Sequence, residues 1–134
     1  FIIIKNKKTG LLIGANLIII AILNQLLKFI LQRPRPTEFR IINESGYSFP
    51  SGHSMVSMAF YGFLIYLIYK NVKNKCLKVS LISILSFLIV MIGISRIYLG
   101  VHYTSDVLAG FLISISYLVL YINLTKKILF SNEK

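Results

Sequence analysis

A chain of 134 residues has room for one domain, and 56% hydrophobic with 14% charged residues excludes an ordinary soluble one. Typical globular chains hold roughly 45–50% apolar and about 25% charged residues, and a body this small cannot hide the excess from water. The net charge of +11, from 15 Lys and Arg against 4 Asp and Glu, leaves nucleic acid, anionic lipid or a phosphorylated substrate as partners, while the lone Cys76 excludes an internal disulfide framework.

In chain order, Phe1-Ile2-Ile3-Ile4 runs into Lys5-Asn6-Lys7-Lys8, the reverse of the basic-then-apolar order of a signal peptide. It reads as the tail of an upstream apolar segment, so the sequence is expected to be the C-terminal part of a longer protein. Four charge-free windows follow: Thr9 to Leu27, Ser54 to Tyr69, Val79 to Ser95 and Val107 to Thr125. Crossing a hydrocarbon core takes about 20 mostly apolar residues, and the shorter second window gains length if His53 and Lys70 snorkel to the interfaces. No window alternates at period two, which rules out strands. The expectation is an all-α, integral-membrane helical bundle with four transmembrane helices in one domain over residues 1–134. Asn16, Asn24, Gln25, Ser80, Ser83, Ser86, Ser114 and Ser116 are expected to face other helices, where polar groups pair.

Charge sets the orientation. If the first helix leaves the cytoplasm, one side carries Lys5, Lys7, Lys8, Lys70, Lys73, Lys75, Lys78, Lys126, Lys127 and Lys134, and the other Lys28, Arg33, Arg35, Arg40 and Arg96. The positive-inside rule puts the lysine-rich side in the cytoplasm, with Tyr66, Tyr69, Tyr117 and Tyr121 as an aromatic belt near it. Much of the net charge is then topology signal, and nucleic acid is not needed as a partner. Cys76 reads as bland surface in the lysine-rich loop.

Both histidines, Asp106 and every arginine map to the outer face. Pro34 and Pro36 predict an end to the first helix near Gln32, leaving Lys28 one turn inside the boundary, where with Arg35 and Arg96 it converges on an anion. Arginine suits phosphate because its fork donates two parallel hydrogen bonds. In Pro50-Ser51-Gly52-His53, Ser51 can cap a helix and Gly52 permits close backbone approach, and the helix N-terminus forms an anion site. His102 and Asp106 are four apart, so one helical turn brings them together; the carboxylate would fix the tautomer and free the other ring nitrogen to attack. Metal is disfavoured as a competing chemistry because five nearby cations repel it. Glu38 and Glu44 read as solvated loop charges, and Phe49, Tyr98 and Tyr103 as flanking residues.

Lys28, six residues, Arg35-Pro36; then Pro50-Ser51-Gly52-His53; then Ser95-Arg96, five residues, His102, three residues, Asp106: this resembles the three-part signature of the type 2 phosphatidic acid phosphatase family, which also includes vanadium-dependent haloperoxidases. The resemblance spans residues 28–106 with every position filled; Arg33-Pro34 makes a second Arg-Pro, but only Arg35 has the family spacing from Lys28. It implies the C-terminal four helices of a six-helix bundle and a phosphatase without metal or other cofactor. His102 would attack phosphorus to give a phosphohistidine, Asp106 would hold its imidazole, and His53 would be the general acid. Lys28, Arg35, Ser51, Gly52 and Arg96 would hold the phosphoryl oxygens. The expected substrate is a phosphorylated membrane lipid (phosphatidate, phosphatidylglycerophosphate or an isoprenoid diphosphate) met at the extracytoplasmic face of the cell membrane. The alternatives are a non-enzymatic membrane protein that binds or transports phosphorylated lipid, and a soluble vanadate-holding enzyme, which the four windows oppose.

Overall fold

In hydrocarbon an apolar run of this length satisfies its backbone only as a helix, and each window becomes one in the computed structural model, which describes residues 7–129. The elements are α1 (Lys7–Leu31), α2 (Gly52–Asn71), α3 (Lys75–Tyr98) and α4 (Thr104–Leu129). No strand occurs among the described residues. The sequence readings of Phe1 to Ile4, Lys5 and Lys134 lie outside the described residues. Each helix outruns its charge-free window at both ends, taking in Lys7 and Lys8 at the start of α1 and Lys75 and Lys78 at the start of α3, and ending with basic residues in the last turn: Lys28 in α1, Lys70 in α2, Arg96 in α3, Lys126 and Lys127 in α4. Cations there complement the negative end of the helix dipole.

All four helices are long and apolar enough to cross a membrane, with mean hydropathies of 2.1, 1.2, 2.5 and 2.1 in chain order. Large apolar side chains such as Leu11, Phe29, Phe87, Leu112 and Leu124 lie exposed around the outside, an arrangement that hydrocarbon tolerates and water penalises. The molecule is an all-α membrane protein. Its least apolar helix, α2, is the most enclosed: 39% of its most apolar stretch is buried against 11% for α3. It packs on α1, α3 and α4.

Two apolar layers hold α1, α2 and α4 together. Phe63, Leu67, Leu118 and Tyr121 form one, with Leu12 and Ile13 against them. Ile20, Met55 and Ala59 form the other. Buried polar groups tie the same helices. Asn16 Nδ2 donates to the Ala59 carbonyl at 2.8 Å, Asn24 Nδ2 to the Pro50 carbonyl at 3.2 Å, and Ser114 Oγ to the Met55 carbonyl at 3.0 Å.

The other expected inward polar residues differ. Gln25, Ser80, Ser83, Ser86 and Ser116 are exposed. Ser116 donates to the Leu112 carbonyl of its own helix at 3.0 Å, and such back-bonding removes the need for a neighbouring helix. Two belt tyrosines also turn inward: Tyr121 donates to the Leu12 carbonyl at 2.6 Å and Tyr117 to the Asn16 carbonyl at 3.4 Å. Each hydroxyl thereby joins the first half of α1 to the second half of α4.

At the opposite end, residues 32–51 and 99–103 are stitched to one another and to the helix starts. Ile41 N–H donates to the Leu99 carbonyl at 3.1 Å, Ser48 N–H to the Arg33 carbonyl at 2.8 Å, and Ser51 N–H to the Asp106 carbonyl at 3.1 Å. Gly100 makes this closure possible. Its φ of +69° is a left-handed conformation, and a Cβ there would run into the Phe39 carbonyl oxygen.

Candidate active site

The site is assembled by the long connection residues 32–51, which folds back over the starts of α2 and α4. Ser51 caps α2, its Oγ accepting from Ser54 N–H at 3.4 Å and from Ser54 Oγ at 3.0 Å. The next two residues, Gly52 and His53, open onto a cleft of about 380 Å³. Asn24, Lys28, Arg35, Glu44 and His102 also line it. Five of the eight site residues expected from sequence (Lys28, Arg35, Gly52, His53 and His102) therefore share one cavity.

Three lie elsewhere in the arrangement. Ser51 and Asp106 are fully buried, outside the residues that line the cleft. Arg96 joins the cluster through Glu44.

His102 is in the short connection before α4, not inside a helical turn as the four-residue spacing suggested. Its pairing with Asp106 comes from a tight turn into the helix, in which Asp106 Oδ2 accepts the Tyr103 N–H at 2.9 Å. Nδ1 of His102 then lies 3.5 Å from Asp106 Oδ2 and 3.4 Å from Ser48 Oγ. Ser48 Oγ in turn makes a short hydrogen bond to Oδ2. On the other side of the ring, Arg35 Nη1 donates to Nε2 at 3.2 Å. A guanidinium can only donate, so Nε2 is the acceptor and the proton sits on Nδ1, toward the carboxylate. The Nε2 lone pair thus points at Arg35, which lines the same cleft. Burial, reinforced by the Arg35 and Lys28 charges and only partly offset by Asp106, pushes the imidazole down to about 4.

Arg35 is anchored from several directions. Its guanidinium donates to the carbonyls of Val101 at 3.0 Å, Gly46 at 3.1 Å and Ser45 at 3.2 Å, and pairs with Glu44 Oε2 at 2.9 Å. The second oxygen of Glu44 lies 3.5 Å from Arg96 Nη1. Glu44 is therefore no solvated loop charge: the loop folds it between two arginines, with a quarter of its side chain exposed. Glu38 remains exposed. Lys28 Nζ donates to the Tyr47 carbonyl at 2.5 Å, which holds the ammonium over the cleft mouth.

Sequence reasoning passed over Arg33 and Ser48. Arg33 Nη1 pairs with Asp106 Oδ1 at 2.8 Å and donates to Ser105 Oγ at 2.7 Å, and its guanidinium lies 4.3 Å from the centre of the Tyr103 ring. The repeated Arg-Pro was a visible signal for it. Ser48 carried none, since a serine in a loop is unremarkable until the loop is folded.

An apolar groove of about 230 Å³ adjoins the cleft, lined by Leu17, Val56, Phe60, Tyr61 and Ile92, and the two cavities share His53 and Val56. A polar, cationic hollow thus meets a hydrocarbon-like one at an imidazole. Among the described residues no group of three or more His, Cys, Asp or Glu side chains could hold a metal ion together.

The sequence pattern of the PAP2 superfamily matches residues 9–129. The chain belongs to the PAP2 superfamily. This PAP2 protein is 37% identical over 91 residues to phosphatidylglycerophosphatase B of Bacillus subtilis (strain 168), a match covering 67% of this chain and 45% of that protein. Its structure is similar to the crystal structure of a transmembrane PAP2-type phosphatidylglycerolphosphate phosphatase from Bacillus subtilis, with a TM-score of 0.81 and 36% identity over 89% of this chain and 60% of that one. The chain thus spans about half the length of the curated relative it matches.

Proposed function

We propose that this PAP2 protein is a lipid phosphate phosphatase that works through a phosphohistidine on His102. The observation that carries the reading is His102 in the lining of a cleft, its Nε2 3.2 Å from Arg35 Nη1, with Lys28 and His53 lining the same cleft. A phosphomonoester seated there meets cations for its oxygens and an imidazole for its phosphorus. Nε2 forms the P–N bond as the P–O bond to the lipid alcohol breaks, and protonated His53 delivers a proton to the departing oxygen. His53 then takes a proton from water, whose oxygen attacks phosphorus and breaks the P–N bond. Inorganic phosphate leaves and both histidines return to their starting states. Splitting the displacement in two lowers each barrier, and fixed cations stabilise the charge gathering on the equatorial oxygens. Asp106 supports the developing imidazolium through Nδ1.

The apolar groove beside His53 fits the tail side of such a substrate, and a lipid reaches it sideways from the bilayer. A glycerophospholipid monoester agrees with the substrate in the names of both relatives. The signature residues lie at the end opposite the lysine-rich turns, consistent with an active site on the extracytoplasmic face of the cell membrane.

The test is phosphate release by the detergent-solubilised protein across phosphatidate, phosphatidylglycerophosphate and an isoprenoid diphosphate, with and without EDTA. Turnover of at least one lipid, unaffected by chelator and reduced at least about 1,000-fold in His102→Ala, is the expected result. Binding of these lipids without turnover would make the protein a carrier or binder instead.

A further inference from the structure

We propose that Arg33 is a positioning residue that acts on the proposed nucleophile through Asp106: it grips the carboxylate by Oδ1 and leaves Oδ2 to face the imidazole, so that the ring is held with Nδ1 toward the carboxylate. This rests on the phosphatase reading for its consequence, though not for its geometry. Arg33 does not line the cleft; its Nη1 is spent on Asp106 Oδ1 at 2.8 Å and Ser105 Oγ at 2.7 Å. The Tyr103 ring lies under the guanidinium at 4.3 Å, and such stacking restrains a cation.

The same residue also serves the other carboxylate oxygen. Its carbonyl accepts the Ser48 N–H at 2.8 Å, and Ser48 Oγ bonds Oδ2 and reaches His102 Nδ1. Side chain and main chain of one residue thus address both oxygens of Asp106. This explains why the contact of His102 with Asp106 is a long 3.5 Å: Oδ2 is shared between Ser48, the Tyr103 N–H and the ring.

A carboxylate bound only to an imidazole would raise the ring's proton affinity more and hold its orientation less firmly. A carboxylate partly neutralised by a guanidinium still supports the imidazolium once phosphorus has bonded. The other charged or titratable groups around the ring are Lys28 from α1, Arg35 and Glu44 from the long connection, His53 from α2, Arg96 from α3 and Asp106 from α4. Among the described residues, only Arg33 and Ser48 bond the carboxylate itself from outside its own turn.

The experiment follows both histidines of the chain by ¹⁵N NMR in detergent micelles, assigned with His53→Gln, alongside steady-state kinetics on whichever phospholipid the wild type cleaves. In Arg33→Gln the His102 titration is expected to move up by about half to one pH unit, and kcat to fall about 10-fold with KM changed less than about 3-fold. Arg33→Lys, which keeps the charge but loses the fork and the stacking, should leave the titration in place and recover part of kcat. An unmoved His102 titration in Arg33→Gln, or a loss carried by KM, overturns the proposal. Should Arg33→Gln fail to fold, Tyr103→Leu is expected to lower kcat in the same sense by about 3-fold, and an unchanged kcat there counts equally against it. If the wild type cleaves no lipid phosphate while Arg33→Gln still shifts His102, the positioning role stands and the phosphatase reading falls.

Discussion

His102 owes its availability to being buried beside two cations, and that burial has a measurable acid-side cost. Unfolded, its imidazole titrates near the ordinary value of about 6.5; folded, it titrates at about 4. Between those values the unfolded chain binds a proton that the folded chain does not, so stability falls as pH drops through that window. Above it the contribution is flat. Thermal unfolding in detergent should therefore show a midpoint that declines from pH 7 to pH 4.5, and His102→Gln should flatten the decline. Glu44 carries a second expectation at this scale. Its carboxylate sits between Arg35 and Arg96, the charges proposed to receive a phosphate. These pairs are largely shielded from water, so with the competing carboxylate removed in Glu44→Gln, inorganic phosphate should inhibit at least about two- to five-fold more tightly. Identities of single residues were legible where the chemistry is intrinsic to the side chain, as with Lys28, Arg35 and His102. Ser48 and Glu44 were illegible because their partners are set by how the long connection folds, and no local pattern encodes that; the repeated Arg-Pro marked Arg33 but not its partner.

Helices announced themselves through the absence of charge, and their C-terminal ends lie beyond the windows because Lys and Arg belong in last turns. Direction within a helix was harder to read. Asn16 and Asn24 turn inward, because an amide inside hydrocarbon needs a partner helix; Ser116 turns outward, because a serine can bond its own helix. Contact between α2 and α4 depends on a residue without a side chain. A Cβ on Gly110 would lie 3.1 Å from both the Ser51 carbonyl oxygen and Ser54 Cβ. Gly110→Val is expected to push the two helix starts apart, at a cost of about 1–3 kcal/mol. A lower unfolding midpoint together with reduced turnover would show it, since Ser51 and His53 ride on the displaced helix.

Alternating helix direction gathers the histidines, the arginines and Lys28 at one end and the other described lysines at the opposite end, and this much follows from four antiparallel spans. Which leaflet each end meets is a matter for labelling. Cys76, exposed near the start of α3, is the only cysteine in the sequence. A membrane-impermeant maleimide should reach it only from the cytoplasmic side of sealed vesicles, while Ser45→Cys in a Cys76→Ser background should react only from outside. The reverse pattern would invert the proposed topology. The main-chain bonds between residues 32–51 and 99–103 have a practical corollary for protein engineering. Neither segment keeps its shape by itself, for Ile41 leans on Leu99 and the turn at Gly100 is moulded against Phe39. Anyone building chimaeras from two such proteins should transplant both segments from the same parent; exchanging one alone would misalign a histidine that the graft never touched.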